Sequence, residues 1–401
     1  MTILELPEAT VAPLVRAVAD APDRAAVGER FARAAWSLVA EPGDGDAGRL
    51  VEELGAEPAM AALVARVRGE AAPGGPTIPD AAFERWRGRV GSGAVQLALR
   101  QAARFAATLV IPGDEHWPGG LHDLGEHAPF ALWVRGDHAR LRALDRSIAV
   151  VGARAATAYG EHVAMEAAAG LVDRRIAVVS GAAYGIDGAA HRAALASQGG
   201  TVAFLAGGVD RFYPAGHEQL LQKIVEQGAV VAEVPCGVAP SKWRFLQRNR
   251  LIAAATQATV VVEAGWRSGS INTAHHAAQL GRPVGVVPGP VTSSASAGCH
   301  RLLRESEALC VTTPSEMAQL LGEEEPIGAG DGAVGSPAPL DATRLRLLDA
   351  MSTRAGRESG RIATISGLAP DRVRAELGLL ELEGLVRRRP SGWVRTVPDP
   401  A

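Results

Sequence analysis

Lys242, Arg244, Arg248 and Arg250 fall within one nine-residue stretch, Lys-Trp-Arg-Phe-Leu-Gln-Arg-Asn-Arg, with Phe245 and Asn249 among them. Lys242 is one of only two lysines in the chain. Cations interleaved with a ring suit a ligand that carries both phosphates and stackable bases. The apolar run Ala258–Ala264 that follows reads as a buried parallel strand. At its carboxyl end Ser268-Gly269-Ser270 opens a helical pattern that runs on through Thr273. A Ser/Gly turn at a helix start offers backbone N–H groups and hydroxyls to an anion. Together these residues predict a nucleic-acid-binding groove on an α/β sheet.

Two further turns carry chemistry of the same kind. Val151-Gly152-Ala-Arg154 follows an apolar strand where a dinucleotide fingerprint would sit, but it is not G-x-G-x-x-G and no acidic residue closes a second strand at the usual distance. Arg154 is read as a phosphate ligand, with a structural ion pair as its alternative. No Gly-Lys dipeptide occurs, so a Walker A loop is excluded. Ser180-Gly181-Ala-Ala-Tyr184-Gly185-Ile-Asp187 joins another strand to a helix through a Gly-rich anion nest. Asp187 and His191 lie four apart on one helix face. Without a third ligand they read as a capping and hydrogen-bonding pair, not a metal site. Glu233 and Glu263 end two strands and are either a carboxylate pair for acid/base work or orienting partners for the arginines. The surplus of arginines favours the second role.

Lys and Arg total 41 against 44 Asp and Glu, a net charge of −3, so a nucleic-acid site must be a local patch. Cys236, Cys299 and Cys310 have no C-x-x-C spacing and read as reduced thiols, with neither disulfide nor zinc. No cofactor is expected. The N-terminus lacks the regions of a signal peptide and no apolar run is long enough for a bilayer, so the expected location is the cytoplasm, away from membranes.

Residues 1–105 show helical spacing broken at 41–46 and 72–79, a small helical domain without an assigned task. Residues 106–321 begin with strand and loop to about Arg146, where Trp117 and Trp133 read as packing residues. Apolar strands then recur at 147–151, 176–180, 201–206, 229–234, 258–263 and 283–287, with 308–312 as an edge. Alternating with helical stretches, they predict a doubly wound, extended Rossmann-like parallel sheet. The unusual residues lie at the carboxyl ends of those strands, where such sheets bind ligands. Residues 322–340 are a linker by composition. Residues 341–396 predict three helices (341–351, 361–367, 371–383) and a hairpin, a winged-helix module. Its last helix mixes Asp371, Glu376, Glu381 and Glu383 with Arg372 and Arg374, so duplex recognition and a protein partner both stay open.

Taken in order, Val151-Gly-Ala-Arg154, Ser180-Gly181, Gly185-Ile-Asp187, His191, Gly207, Tyr213-Pro214, Phe245, Arg248-Asn-Arg250, Ser268-Gly-Ser270, Thr273-Ala274 and Val287-Pro-Gly289 resemble the DNA-processing protein A family (DprA, also called Smf). The resemblance spans about residues 105–312, and the winged-helix tail fits it. It implies a non-enzymatic protein that binds and protects single-stranded DNA, dimerises, and loads the recombinase RecA during natural transformation. It implies Arg154, Lys242, Arg248 and Arg250 near phosphates and Phe245 against a base. Where the family often has arginine this chain has Tyr184, so one cation is either lost or replaced by stacking. Two rivals follow from the residues: a Rossmann-type nucleotide phosphoribohydrolase, whose Pro-Gly-Gly-x-Gly-Thr turn is missing here, and a ligand-sensing winged-helix regulator of duplex DNA.

Overall fold

The computed structural model describes residues 2–3, 6–19, 24–70, 78–322, 342–353, 355–382 and 384–396. The chain divides into two compact units, Met1–Glu325 and Pro326–Ala401. The first unit opens with a two-residue pairing, Thr2–Ile3 (β1) against Leu6–Pro7 (β2). Helices follow at Glu8–Arg16 (α1), Arg24–Val39 (α2), Gly45–Leu54 (α3), Ala56–Val67 (α4), Asp80–Trp86 (α5) and Ser92–Arg104 (α6). The expected break after α2 is a turn that Asp44 converts into a helix start, its carboxylate accepting from the Asp46 and Ala47 amides. The expected break at 72–79 falls, up to residue 77, outside the described residues.

A nine-stranded sheet follows in the order β11-β10-β9-β5-β6-β7-β8-β4-β3. Its strands are Ala107–Val110 (β3), Leu132–Gly136 (β4), Ser147–Val151 (β5), Ala177–Ser180 (β6), Thr201–Leu205 (β7), Ala229–Ala232 (β8), Ala258–Val261 (β9), Val284–Val286 (β10) and Leu309–Cys310 (β11). The seven strands from β5 onward pair in parallel. β5 to β9 are buried along their whole length, which is why they read as unbroken apolar runs without alternation. Helices Ala158–Asp173 (α7), Ile186–Ala196 (α8), Glu218–Gln227 (α9), Lys242–Ala255 (α10), Ser270–Gln279 (α11), Ala297–Glu305 (α12) and Pro314–Gln319 (α13) connect and cover them. The doubly wound α/β reading holds, with one addition: β4 joins β8, and β3 joins β4, antiparallel, so the sheet is mixed.

The N-terminal helices share a core with that antiparallel edge. Trp36, Trp86, Phe130 and Trp133 belong to the same buried cluster as Leu205 and Val230. Trp36 meets Trp86 edge-on at 5.4 Å. Leu109 N–H donates to Val18 O, and Arg30 donates to Asp114 and to Leu109 O. Trp133 is fully buried and Trp117 nearly so, as packing residues should be.

The second unit holds helices Ala342–Asp349 (α14), Ser359–Ser366 (α15) and Pro370–Leu382 (α16), then the hairpin Val386–Arg389 (β12) and Gly392–Arg395 (β13). Gly367 ends α15 in the left-handed conformation, φ +65°, which turns the chain into α16. Three helices and a two-stranded wing make a winged helix. Much of the charge near α16 is matched: Arg374 pairs with Asp371, Arg344 with Glu376, and Arg372 donates to Thr343 Oγ1. The exposed arginines of the wing are Arg387, Arg388, Arg389 and Arg395. The expected linker, beyond Gly322, lies outside the described residues. No described helix is long and apolar enough to cross a membrane.

Candidate nucleic-acid interface

In the sheet β5 has β9 on one side and β6 on the other. The crossover after β5 runs to β6 and the one after β9 runs to β10, in opposite directions, so the carboxyl ends of β5 and β9 open a crevice between them. The turn after β5 is pinned on both sides of this crevice. Ala153 N–H donates to Glu263 O at 2.7 Å, and Ile186 N–H donates to Ala153 O at 3.2 Å. Glu263 accepts from both the amide and the hydroxyl of Thr157, each at 2.8 Å, while Thr157 caps α7. Two glycines make the approach possible. A Cβ on Gly152 would stand 2.5 Å from Ile186, and one on Gly185, at φ +73°, would stand 2.3 Å from Ala153 O. Arg154 is thereby held at the exposed tip of the turn.

Helix α10 supplies the facing wall. Ser241 caps it by accepting from Arg244 N–H, and the helix is buried from Arg248 onward. Its first turns stay at the surface, with Lys242 exposed and Phe245 half-buried. The Arg154 guanidinium carbon lies 4.9 Å from the Phe245 ring centroid, and Tyr213 packs against the same ring at 5.5 Å. The space enclosed is a cleft of about 910 Å³. Gly152, Arg154, Lys242, Phe245, Arg248, Asn249, Ser268, Gly269, Ser270 and Thr273 all line it, together with Asp187.

Several expected contacts lie elsewhere. Arg250 is 3 % exposed and paired with Glu233 at 2.6 Å, so it faces the interior instead of the cleft. Arg244 is held by Glu41, which also accepts from Arg89, and by Ala239 O. Arg248 lines the cleft but is 5 % exposed, and its Nη1 donates to Gly181 O and Phe204 O. Ser180 is buried and donates to Val150 O. Tyr184 is exposed outside the cleft, its hydroxyl accepting from Gly216 N–H and its ring against His217 at 4.9 Å. The anticipated nest at 180–185 already holds an anion of this chain: the Asp187 carboxylate accepts from the Gly181 and Ala183 amides. Burial pushes Asp187 up, opposed by Arg248 and these amides. At α11, Ser270 N–H turns to Ser268 Oγ, and the Ile271 and Asn272 amides turn to the carbonyls of Ser268 and Gly269. That turn therefore offers the hydroxyls of Ser268 and Ser270, themselves 2.7 Å apart, more than free amides. Asn249 ties α10 to it through Gly269 O.

The two strand-end carboxylates are not a pair. Glu233 follows β8 and Glu263 follows β9, four inter-strand spacings apart in the sheet, roughly 19 Å. Glu233 does orient an arginine, as expected. Glu263 orients Thr157 instead. Among the described residues no cluster of three His, Cys, Asp or Glu side chains can hold a metal ion.

Asp187 and His191 do not bond each other. His191 Nδ1 lies 2.7 Å from Thr201 Oγ1, whose own proton goes to Val178 O, so His191 is the donor and Nε2 carries the lone pair. Among the described residues Nε2 has no hydrogen-bond partner. Burial pushes this imidazole down to about 3, aided by His217 and Arg248. The unfolded chain binds a proton here near pH 6.5 while the folded chain does not until about 3. Stability is therefore lost as pH falls through that window, by up to about 1.4 kcal/mol per pH unit. Urea midpoints at pH 7 and pH 4.5 should differ less in His191→Leu than in the parent protein, and an unchanged difference would remove His191 from the account.

Lining residues that escaped the sequence reading as ligand contacts include Tyr213, Trp266 and Arg267. The signal available was position, since Trp266-Arg267 falls between the end of β9 and the Ser-Gly-Ser turn.

Residues 108–322 match the family model described as DNA recombination-mediator protein A, and residues 332–392 match that of the DprA winged helix domain. The chain is 46% identical over 310 residues to a putative DNA processing protein DprA of Mycobacterium tuberculosis (strain H37Rv), covering 75% of this chain and 78% of that one. It is 34% identical over 332 residues to protein Smf of Escherichia coli (strain K12), covering 75% and 85%. Among solved structures, DNA processing protein A from Streptococcus pneumoniae superposes with a TM-score of 0.59 at 29% identity, covering 73% of this chain and 96% of that one.

Proposed function

The chain belongs to the DNA recombination-mediator protein A (DprA/Smf) family, and we propose that the cleft above β5 and β9 binds single-stranded DNA. The observation that carries the reading is the Arg154–Phe245 contact at 4.9 Å, in a cleft rimmed by Lys242 and Arg267. A ring beside exposed cations suits a base and its phosphates at once. In a duplex the base faces are stacked on one another, so a platform of this kind favours unpaired strands. We extend the reading to protection of the bound strand and to its delivery to RecA, as the resemblance implies, in the cytoplasm. A homodimer would present two clefts to one strand and raise the effective concentration of the second contact. The action proposed is binding without bond-making: Glu233 and Glu263, the carboxylates a hydrolase would need, are each committed to a neighbour.

The test is a titration of matched single- and double-stranded oligonucleotides across a salt series. The expected result is a single-strand preference, with log K falling against log salt by about 0.7 per phosphate neutralised. Equal or tighter duplex binding that depends on residues 341–396 would remove the reading in favour of the winged-helix regulator.

A further inference from the structure

Trp266 stands on the turn between β9 and α11 and is 53 % exposed, yet it lines the same cleft as Phe245, which comes from α10. The fold gives the indole a cation and little cover. The Arg301 guanidinium carbon, from α12, lies 4.9 Å from the indole centroid, and Arg301 Nε is also 3.9 Å from Glu305. Such a contact orients a ring without burying it. Next to it Arg267 is exposed, lines the cleft, and makes no ion pair or hydrogen bond with a described residue. An apolar ring left open beside a free cation, in a cleft that already holds one ring and cation, is an arrangement that packing alone does not require.

We propose that Trp266 is a second base-stacking platform, so that one strand laid through the cleft places one base on Phe245 and another on Trp266, with Arg267 at an adjoining phosphate. The inference rests on the single-strand reading of the cleft and adds to it a subsite for a nucleobase. Its chemistry is that of alternating stacking faces and cations, which tolerates any sequence because every base has a π-face.

The full chain is titrated with a fluorescein-labelled oligothymidylate, read by anisotropy, for the parent protein, Trp266→Ala, Trp266→Phe and Arg267→Ala. Trp266→Ala should weaken binding about 5- to 150-fold, the range of one base–aromatic stack, with the salt slope unchanged. Trp266→Phe should retain most of the affinity. Arg267→Ala should instead lower the salt slope by about 0.7. A second readout uses tryptophan fluorescence in a Trp243→Phe, Trp393→Phe background, because Trp36, Trp86 and Trp133 are fully buried and Trp117 nearly so, while Trp243 is 56 % exposed and Trp393 is half-buried. Unlabelled strand should quench the emission there, and adding Trp266→Phe should abolish most of that quenching. If the parent binds the strand while Trp266→Ala binds equally well and quenching persists without Trp266, the subsite is wrong and the cleft reading stands. If the parent does not bind single strands at all, both fall.

Discussion

Replacing Arg248 by alanine should destabilise the protein by about 3–5 kcal/mol, the cost of removing one member of a buried charged cluster. The resemblance alone would make Arg248 a phosphate ligand whose loss spares the fold. The geometry points to a different first effect. Its Nη1 donates to Gly181 O at the end of β6 and to Phe204 O in β7, and its Nε donates to Asn249 Oδ1 at 3.3 Å. Truncation leaves two buried carbonyls short of a donor and takes the positive charge away from buried Asp187. Burial pushes Arg248 down to about 10, which still leaves it cationic at neutral pH, so its charge is present to be lost. Arg248→Lys should recover part of the stability, since a point charge remains but the forked donor does not. Urea denaturation decides the matter. An Arg248→Ala protein that melts within about 1 kcal/mol of the parent but no longer binds single strands would return Arg248 to the role of a direct ligand.

The second large effect falls on affinity. Phe245→Ala should weaken single-strand binding by about 1–3 kcal/mol with little change in salt dependence. Arg154→Ala should weaken it too, while lowering the salt slope by about 0.7. Because the guanidinium lies on the ring, the two losses should not add. Removing either partner already frees the other from the orientation in which both meet the strand. Anisotropy titrations of the two single variants and the double variant measure that coupling. Strictly additive losses would mean that Arg154 and Phe245 touch the ligand independently, and no loss in either would empty the cleft of its proposed role. Neither side chain supports the core, so all three proteins should melt near the parent.

The sheet is legible along the chain, because strands buried on both faces must be apolar at every position and so announce themselves locally. The cleft is legible in outline as well. Ser-Gly, Gly-Ala-Arg and Ser-Gly-Ser turns after apolar runs can only lie at the carboxyl ends of the strands. Elements whose signal is a single helix period, such as the three helices of the winged unit, were legible for the same reason: the pattern is complete within one segment.

The direction in which clustered charges point emerges only from the fold. Arg248 and Arg250 are two residues apart on α10, roughly 200° around the helix axis at about 100° per residue. One therefore reaches the strand ends beneath the cleft while the other meets Glu233 in the interior. Arg244, in the same cluster, is claimed by Glu41, 203 positions away in the sequence. The reverse holds for Arg154 and Phe245, which lie far apart along the chain and share one contact because the β5 turn and the start of α10 face each other. A run of arginines records how much charge a segment carries. Which of those charges remains for a ligand depends on acids and carbonyls brought from distant segments, and these become neighbours only when the sheet closes its crevice.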